Sequence, residues 1–336
     1  MTIKEAILRL AQKEDIGYEG AKQVMNEIMS GEASDVQKAA YLTAFAMKGE
    51  TIDEITGSAQ GMIEHAVKFP SDKEALEIVG TGGDRSNSFN ISTTSAFVIS
   101  AAGVPVAKHG NRAASSKSGA ADCLEALGVN ITCEPEVSAK ALEETNMCFL
   151  FAQKYHTSMK YVGPIRKELA IRTVFNIIGP LSNPANIKYH VMGVYTPELL
   201  KPMAEVLVKM GVKHVLVVYG NDCLDEVSAS SETSVCEYID GEYKSYTIKP
   251  EDFGLERCSK ADTVGGSPED NAKIALAILG GEKGPHRTAV VLNAGVGLYA
   301  AGKVASIEEG VRLAEETIDS GKAKEQVDRV VKATNA

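Results

Sequence analysis

The chain has 336 residues, with 35 Lys and Arg against 45 Asp and Glu, a formal charge of −10 with histidine neutral. This acidic balance argues against nonspecific nucleic-acid binding, because such binding depends on basic surface that displaces phosphate counterions. Hydrophobic residues make up 44% and charged residues 24%, as in ordinary globular proteins and unlike disordered or collagen-like chains. The length predicts about two domains, or one large α/β domain with a small satellite.

The six cysteines form no Cys-x-x-Cys pair and no metal-type spacing with histidine, which predicts buried thiols in a reducing compartment. Charged residues at 13–15 interrupt the N-terminal segment before a signal-peptide apolar region can form. No stretch reaches the roughly 18 to 20 apolar residues that a membrane span needs. We therefore expect a cytoplasmic protein without a membrane partner.

The first 70 residues are predicted to form a small α-helical domain. Three capping-box patterns mark helix starts in it: Thr2 with Glu5, Ser34 with Gln37, and Thr51 with Glu54. Apolar residues at helical spacing accompany them, as in the series Ile52, Ile55, Ala59 and Ile63. This domain is expected to end near Phe69 and Pro70.

From about residue 75, short β-branched runs alternate with helix-length segments, a pattern that indicates βαβ units. The predicted strands are 76–79, 104–107, 147–151, 190–195, 215–219, 243–248 and 289–292. The predicted helices are about 93–102, 119–128, 136–145, 198–211, 269–280 and 307–320. Residues 71–336 are therefore expected to form the larger α/β domain, with a mostly parallel central sheet flanked by helices.

A glycine-rich loop follows the first predicted strand. Gly-Thr-Gly-Gly-Asp occupies 80–84, and Asn-Ile-Ser-Thr at 90–93 opens a predicted helix. A strand, a glycine loop and a helix start can gather backbone N–H groups around an anion. The alternative is a tight strand-to-helix turn with Ser92 as the N-cap. The loop matches neither the Walker A pattern nor Gly-x-Gly-x-x-Gly.

A second loop, 108–119, concentrates basic and hydroxyl side chains after the next strand. No Asp or Glu occurs in the 37 residues between Asp84 and Asp122, whereas the chain average predicts about five. This acid-free window contains four cations: Arg85, Lys108, Arg112 and Lys117. A solvated basic loop is the alternative, but an acidic chain with one locally positive loop pair favours a site for a multiply phosphorylated ligand.

Two further segments are weaker candidates when each is taken alone. Asp225 and Glu226 follow a predicted strand and could hold Mg²⁺ through oxygen ligands and water, although such a pair is more often an exposed turn. Arg166 could clamp a carboxylate, and His156 could hydrogen-bond or shuttle a proton. Taken alone, each of these two residues is more often an ordinary surface or core side chain.

Together these segments closely resemble the anthranilate phosphoribosyltransferases, enzymes of tryptophan biosynthesis that join anthranilate to phosphoribosyl pyrophosphate (PRPP). The resemblance covers nearly the whole chain. It is most specific in the strings at 80–84, 90–93, 108–112 and 172–184, the last of which reads Arg-Thr-Val-Phe-Asn-Ile-Ile-Gly-Pro-Leu-Ser-Asn-Pro. Such strings in this order indicate the family strongly.

The resemblance implies a ligand for each candidate residue. PRPP would be held by Gly80, Gly83, Asp84, Ser88, Asn90, Ile91, Ser92, Thr93, Lys108, His109, Gly110, Asn111, Arg112, Ala113, Ala114, Ser115, Ser116 and Ala120. Mg²⁺, with two ions expected per active site, would be bound by Ser92, Asp225 and Glu226. Anthranilate would face Gly80, His109, Asn111, His156 and Arg166.

Two positions depart from the commoner family pattern. Ser88 stands where Thr is frequent and keeps the hydroxyl, whereas Ala120 stands where Ser is frequent and lacks a hydroxyl that could contact PRPP. The family fold implies a small helical domain, which a segment of 164–183 could join, against a larger α/β domain. It also implies an active site in the cleft between the domains and a homodimer built through the helical domain.

The implied reaction is displacement at the anomeric carbon of PRPP by the anthranilate amine, with pyrophosphate as the leaving group. That leaving group needs electrostatic stabilisation, and an aromatic amine is neutral near pH 7, so we assign no obligatory general base. Two alternatives are a pyrimidine nucleoside phosphorylase of related fold and a catalytically silent relative that binds nucleic acid. The charge of −10 weighs against the second.

Overall fold

The computed structural model describes residues 1–113 and 117–336 and divides the chain into two compact units. The first unit comprises Met1–Lys68, Ala152–Pro184 and Glu205–Met210. The second comprises Phe69–Phe151, Ala185–Ala204 and Gly211–Ala336. Within the described ranges, none of the helices combines the length and apolarity that a membrane crossing requires.

The first unit is helical. Its helices are α1 (Ile3–Ala11), α2 (Gly17–Met29), α3 (Asp35–Lys48), α4 (Ile52–Glu64), α8 (Ala152–Tyr155) and α9 (Gly163–Leu169). Helix α10 (Leu200–Lys209) places its last residues in this unit. All three predicted capping boxes are confirmed, with the side chains of Thr2, Ser34 and Thr51 each accepting the backbone N–H three residues later.

The second unit is built on a seven-stranded sheet. Its strands are β1 (Ala75–Gly80), β2 (Val106–Gly110), β3 (Met147–Phe151), β4 (Ile187–Gly193), β5 (His214–Gly220), β6 (Thr233–Ile239) and β7 (Glu242–Ile248). The strand order is β3-β2-β1-β4-β5-β6-β7. Strands β1 to β5 are parallel, and β6 and β7 continue the sheet antiparallel. The predicted α/β class with a mostly parallel sheet is confirmed.

Helices of the second unit pack around the sheet, and most of them contribute to its hydrophobic core. They are α5 (Ile91–Ala101), α6 (Ala120–Ala126), α7 (Pro135–Thr145), α11 (Pro268–Leu279), α12 (Pro285–Ala300), α13 (Ile307–Asp319) and α14 (Lys322–Thr334). Helices α5 and α12 pack against each other, and both are buried along almost their whole length. Core residues such as Leu76, Val106 and Leu216 join them from the strands.

Three sequence predictions are wrong or incomplete. Residues 289–292 form no strand, because they lie within α12, which is buried on all sides and therefore lacks the amphipathic period of a surface helix. Strand β6 was not predicted, although Asp240 and Gly241, both with positive φ, form the Asp-Gly hairpin turn that joins it to β7. Helix α14 was also not predicted.

The prediction that the cysteines are buried is confirmed for Cys123, Cys148 and Cys236 and is wrong for Cys223, which is exposed. Cys133 and Cys258 are half-buried.

A buried carboxylate ties the antiparallel strands to the rest of the sheet. Glu237 on β6 accepts hydrogen bonds from His214 Nε2 at 2.8 Å, Tyr299 Oη at 2.8 Å and Tyr246 Oη at 2.9 Å. Burial alone would raise the pKa of Glu237, but the hydrogen bonds from His214, Tyr299 and Tyr246 outweigh burial and lower it. The charged form of Glu237 therefore stabilises the folded state.

We predict that Glu237→Gln destabilises the protein at pH 7 by about 1.5–3 kcal/mol, the range for a hydrogen bond to a charged group. Because the folded-state pKa is lowered, the stabilisation by Glu237 is present above its unfolded-state pKa and is lost as pH falls through its folded-state pKa. Urea unfolding at pH 7 and at pH 4 measures the difference, which should shrink at the lower pH. An equal difference at both pH values would contradict the prediction.

Candidate active site

The carboxyl ends of four adjacent parallel strands carry the loops that the sequence selects. Strands β2, β1, β4 and β5 are neighbours, so the loops that follow Gly80, Gly110, Gly193 and Gly220 lie side by side at one edge of the sheet. In open α/β sheets ligands bind outside this edge, near the point where the strand order reverses. The candidate site is therefore built at the expected edge of the second unit.

Backbone N–H groups of the loop after β1 and of the first turn of α5 donate hydrogen bonds to carboxylates in the loop after β5. Gly82 donates its N–H to Asp225 Oδ2 at 2.6 Å, and Ser92, in the first turn of α5, donates its N–H to Glu226 Oε1 at 3.3 Å. The N–H of Asp225 lies 3.5 Å from Asp84 Oδ2, at the limit of a hydrogen bond. Residues more than 130 positions apart in sequence thus form one carboxylate cluster.

Two glycines make room for Asp225. A Cβ atom on Gly80 would lie 2.4 Å from Asp225 Oδ2, and one on Gly193 would lie 1.6 Å from the backbone oxygen of Asp225. Real Cβ contacts essentially never fall below 3.0 Å, so both strands must end in glycine. Sequence reasoning selected Gly80 and missed Gly193, whose only signal is its place at the end of a strand.

A buried lysine faces the carboxylates. Lys108 on β2 is 1% exposed and donates from Nζ to the Ile78 carbonyl at 2.6 Å and to Ser92 Oγ at 3.2 Å. Burial lowers the pKa of Lys108, against the opposing attraction of Glu226 and other nearby carboxylates. The lysine is therefore part of the same charge cluster as Ser92 and Glu226.

The surroundings of Asp225 and Glu226 disfavour the charged forms of both carboxylates. Burial, together with repulsion from Asp84 and Glu226, raises the pKa of Asp225 well above its ordinary value. Burial also raises the pKa of Glu226 to about 7, although Lys108 and the Ser92 hydrogen bonds favour its charged form. A divalent cation would relieve both the desolvation and the repulsion.

The donor set fits Mg²⁺. Ser92, Asp225 and Glu226 supply the hydroxyl and carboxylate oxygens that Mg²⁺ prefers. In residues 1–113 and 117–336, no group of three or more His, Cys, Asp or Glu side chains is arranged to hold a metal by itself. Mg²⁺ commonly takes only one or two carboxylates and completes its octahedron with phosphate oxygens and water, so this sparse set suits a site shared with a phosphorylated ligand.

The acid-free window of the sequence is not free of acids in space. The Arg112 guanidinium forms ion pairs with Asp122 at 2.9 Å and Glu125 at 2.8 Å, both just beyond the window. Asp122 also accepts the N–H groups of Ala113 and Gly119. The sequence does not predict these ion pairs, because they form only when α6 folds back onto the loop. The predicted ligand residues Ala114, Ser115 and Ser116 lie outside the described residues.

Asn90, and not Ser92, is the N-cap of α5, so the alternative that made Ser92 the cap is wrong. Asn90 Oδ1 accepts from Ser118 Oγ at 3.1 Å and from Asn271 Nδ2 at 2.8 Å. The side chain thus joins three segments, and Asn271, 2% exposed, is a contributor that sequence reasoning missed. Ser88 pairs with Val264 in an isolated β-bridge beside it.

The remaining predicted PRPP residues have these surroundings. Gly83 has a φ of +78°, and Ile91 and Thr93 are buried in the first turn of α5. His109 is buried, and its backbone N–H donates to Glu77 Oε1 at 2.8 Å. Gly110 ends β2, Asn111 Oδ1 accepts the N–H of Arg112 at 2.8 Å, and Ala120 is the first residue of α6.

Arg166 and His156 belong to the helical unit. The Arg166 guanidinium carbon lies 5.1 Å from the centroid of the Phe175 ring, burial lowers the pKa of Arg166, and the described part of the chain gives it no ion pair. His156 is buried, with Nε2 3.0 Å from the Ser182 carbonyl. Burial lowers the pKa of His156 to about 4, although the Ser182 carbonyl favours the protonated ring.

Comparison with known proteins identifies the family. The helical bundle domain of the glycosyl transferase family matches residues 4–66, and the a/b domain of that family matches residues 72–324. The anthranilate phosphoribosyltransferase of Methanobrevibacter smithii is 63% identical over 99% of this chain and 100% of the relative, and that of Lachnoclostridium phytofermentans is 57% identical over 99% of each. The chain belongs to the anthranilate phosphoribosyltransferase family.

Solved structures of this family share the fold. The Thermus thermophilus enzyme has a TM-score of 0.93 at 45% identity and covers 98% of this chain and 99% of its own. The Saccharomyces cerevisiae enzyme, solved in complex with PRPP and Mg, has a TM-score of 0.90 at 28% identity and covers 99% of this chain and 98% of its own. The resemblance stated from the sequence motifs is confirmed.

We predict that Gly193→Ala lowers kcat/KM of the enzyme by about 100-fold, the cost of misplacing reacting groups by about 1 Å. The added methyl would displace Asp225 from the end of β4. Steady-state kinetics measure the loss. Gly57→Ala is the matched control, because its methyl would lie 2.2 Å from the Tyr18 carbonyl within the helical unit. That control should lower the melting temperature without changing the Mg²⁺ requirement; wild-type kinetics for Gly193→Ala would contradict the prediction.

Proposed function

We propose that this chain transfers the phosphoribosyl group of PRPP to the amine of anthranilate, giving N-(5-phosphoribosyl)anthranilate and pyrophosphate in tryptophan biosynthesis. The observation that carries the proposal is the cluster in which Gly82 and Ser92 hold Asp225 and Glu226 at the carboxyl edge of the sheet. It occurs in a chain 63% identical to a named member of the family over its full length.

The PRPP subsite would lie along this edge. The N–H groups of Gly82 and Ser92 are already donated to Asp225 and Glu226. Lys108 and the other PRPP residues named from the resemblance would therefore meet the phosphates and the ribose. Asp225, Glu226 and Ser92 would hold Mg²⁺, with two ions expected. When bound, Mg²⁺ neutralises charge on the pyrophosphate as it leaves. Ion pairing of Arg112 with Asp122 and Glu125 supports a role in ordering its loop alongside any phosphate contact.

Anthranilate would be recognised by its carboxylate. The Arg166 guanidinium, stacked near Phe175 and without an ion pair in the described residues, supports a clamp for that carboxylate. Gly80, His109, Asn111 and His156 would complete the subsite. The lowered pKa of His156 keeps its ring neutral at pH 7, which supports a binding role and agrees with a reaction that needs no general base.

The domain assignment and the quaternary structure are also part of the proposal. We assign residues 1–70, with part of 164–183, to the helical domain and the rest of 71–336 to the α/β domain. The grouping of Ala152–Pro184 with the N-terminal helices supports the added segment, and the helical unit extends beyond it to 152–163 and 205–210. A cytoplasmic location and a homodimer built through the helical domain complete the proposal. Exposed apolar side chains on α1 and α3 support that interface: Leu8 is 65% exposed, Val36 80% and Met47 81%.

Anthranilate fluorescence tests the reaction directly. We predict a Mg²⁺-dependent loss of fluorescence when PRPP is added, and a rate at least about 100-fold lower in Asp225→Ala/Glu226→Ala, because the leaving pyrophosphate then lacks its counterion. Thymidine phosphorolysis is assayed in parallel. Phosphorolysis without anthranilate consumption would replace the proposal with a nucleoside phosphorylase, and a fully active double variant would overturn the metal assignment.

Arg166→Ala should raise the anthranilate KM roughly 10- to 100-fold, the range for losing a hydrogen bond to a charged group. The PRPP KM and kcat should change little, because Arg166 is assigned only to the aromatic acid. Arg166→Lys, which keeps the charge but loses the planar fork, should give an intermediate KM. The anthranilate clamp would be wrong if the Arg166→Ala KM equalled that of the wild type.

Leu8→Asp/Met47→Asp should convert the dimer to a monomer, because a buried interface disfavours unpaired charges. Light scattering at micromolar concentration measures the mass. Leu276→Asp, which changes a leucine that is 41% exposed on α11, is the matched control and should remain dimeric. A monomeric wild type, or a dimeric double variant, would contradict the proposed interface.

A further inference from the structure

A fully buried asparagine connects helix α12 to the loop that carries Asp225 and Glu226. Asn293 Oδ1 accepts the N–H of Val227 at 3.0 Å, and Asn293 Nδ2 donates to the Val227 carbonyl at 2.8 Å. The same Nδ2 donates to the Ala289 carbonyl, one turn earlier in α12, at 2.9 Å. The side-chain amide therefore satisfies both backbone groups of the residue that follows Glu226.

The loop depends on this contact because it has no regular backbone partner at that point. Residues 224–229 are buried but belong to no strand or helix, and buried backbone groups are almost always hydrogen-bonded. Only a side chain with one acceptor and one donor in a single plane can match a peptide unit in this way. Asparagine is a poor helix former and a polar group among apolar neighbours, so its place in α12 has a local cost that the contact offsets.

Helix α12 is also fixed against α5, the helix that begins beside Ser92. Ser95 Oγ on α5 donates to the Val290 carbonyl on α12 at 3.3 Å. A Cβ atom on Gly297 of α12 would lie 2.4 Å from Ile99 Cδ1 of α5, so the two helices approach closely. Asn293 thus connects the loop that carries Asp225 and Glu226 to α12, and α12 is packed against α5, the helix that contains Ser92.

We propose that Asn293 is a positioning residue for the metal-binding carboxylates, which it aims at Ser92 by fixing Val227. The inference rests on the proposed function, since it takes Asp225, Glu226 and Ser92 as the ligands of Mg²⁺. It adds a residue that touches neither metal nor substrate. Residues that orient metal ligands typically contribute 10- to 100-fold in metal affinity or activity.

The test compares Asn293→Ala with Gln326→Ala. Gln326 is an equally buried amide on α14, 1% exposed and hydrogen-bonded to Ser100 Oγ and the Thr145 carbonyl, remote in sequence from the carboxylate loop. Mn²⁺ binding in the presence of PRPP, followed by electron paramagnetic resonance, reports the metal site without turnover. The Mg²⁺ concentration for half-maximal activity and the anthranilate KM are measured alongside. Asn293→Ser, whose hydroxyl retains a donor and an acceptor, is used if Asn293→Ala fails to fold.

We expect Asn293→Ala to weaken Mn²⁺ binding and to raise the half-maximal Mg²⁺ concentration by about 10- to 100-fold, with recovery of kcat at high Mg²⁺ and an unchanged anthranilate KM. Gln326→Ala should leave both metal readouts unchanged. Wild-type Mn²⁺ affinity in Asn293→Ala, or an equal loss in Gln326→Ala, would overturn the inference. Wild-type Mn²⁺ affinity in Asp225→Ala/Glu226→Ala would instead overturn the metal assignment itself, so the two failures are distinguishable.

Discussion

Asp225 and Glu226 are carboxylates that the fold removes from water at the end of a parallel sheet, close to a third carboxylate, Asp84. Transfer of a charge from water to a protein interior is costly unless hydrogen bonds or an opposite charge compensate. The chain supplies partial compensation through the N–H groups of Gly82 and Ser92. The remaining imbalance is what a divalent cation and its phosphorylated ligand would satisfy.

Much of the second unit can be understood from this constraint. Strands β1 and β4 end in Gly80 and Gly193 because any Cβ there would collide with Asp225. Lys108 tolerates burial because its ammonium donates a hydrogen bond to the Ile78 carbonyl and is attracted by the nearby carboxylates. A site that binds its ligand through charge needs such preorganisation, since the groups then do not have to reorganise during the reaction.

The sequence predicts local structure well where the signal is local. The boxes at Thr2, Ser34 and Thr51 each specify a helix start through one reciprocal hydrogen-bond pattern, and all three form. By contrast, 289–292 has the composition of a strand but is part of a helix, because burial on all sides removes the period that distinguishes the two.

The site divides in the same way. Glycine, basic and acidic strings mark Gly80, Lys108, Asp225 and Glu226 as candidates because unusual residue types cluster within a few positions. Gly193 and Asn293 do not lie in such a cluster of candidate residues along the sequence. Their importance arises only in the fold, where β4 and α12 contact the loop after β5. The pairing of Arg112 with Asp122 and Glu125 likewise depends on the chain folding back, which charge counting along the sequence cannot include.

Burial and the neighbouring carboxylates disfavour the charged form of Asp225 in the metal-free protein, and thermal unfolding of Asp225→Asn in EDTA at pH 8 tests this constraint most directly. An amide at this position keeps an acceptor for the Gly82 N–H and removes repulsion from Asp84 and Glu226. The metal-free variant should melt above the wild type, by about 1–2 °C for each kcal/mol of relieved repulsion in a chain of 336 residues. Mg²⁺ with PRPP should stabilise the wild type far more than the variant. A metal-free Asp225→Asn that melts below the wild type would contradict the account.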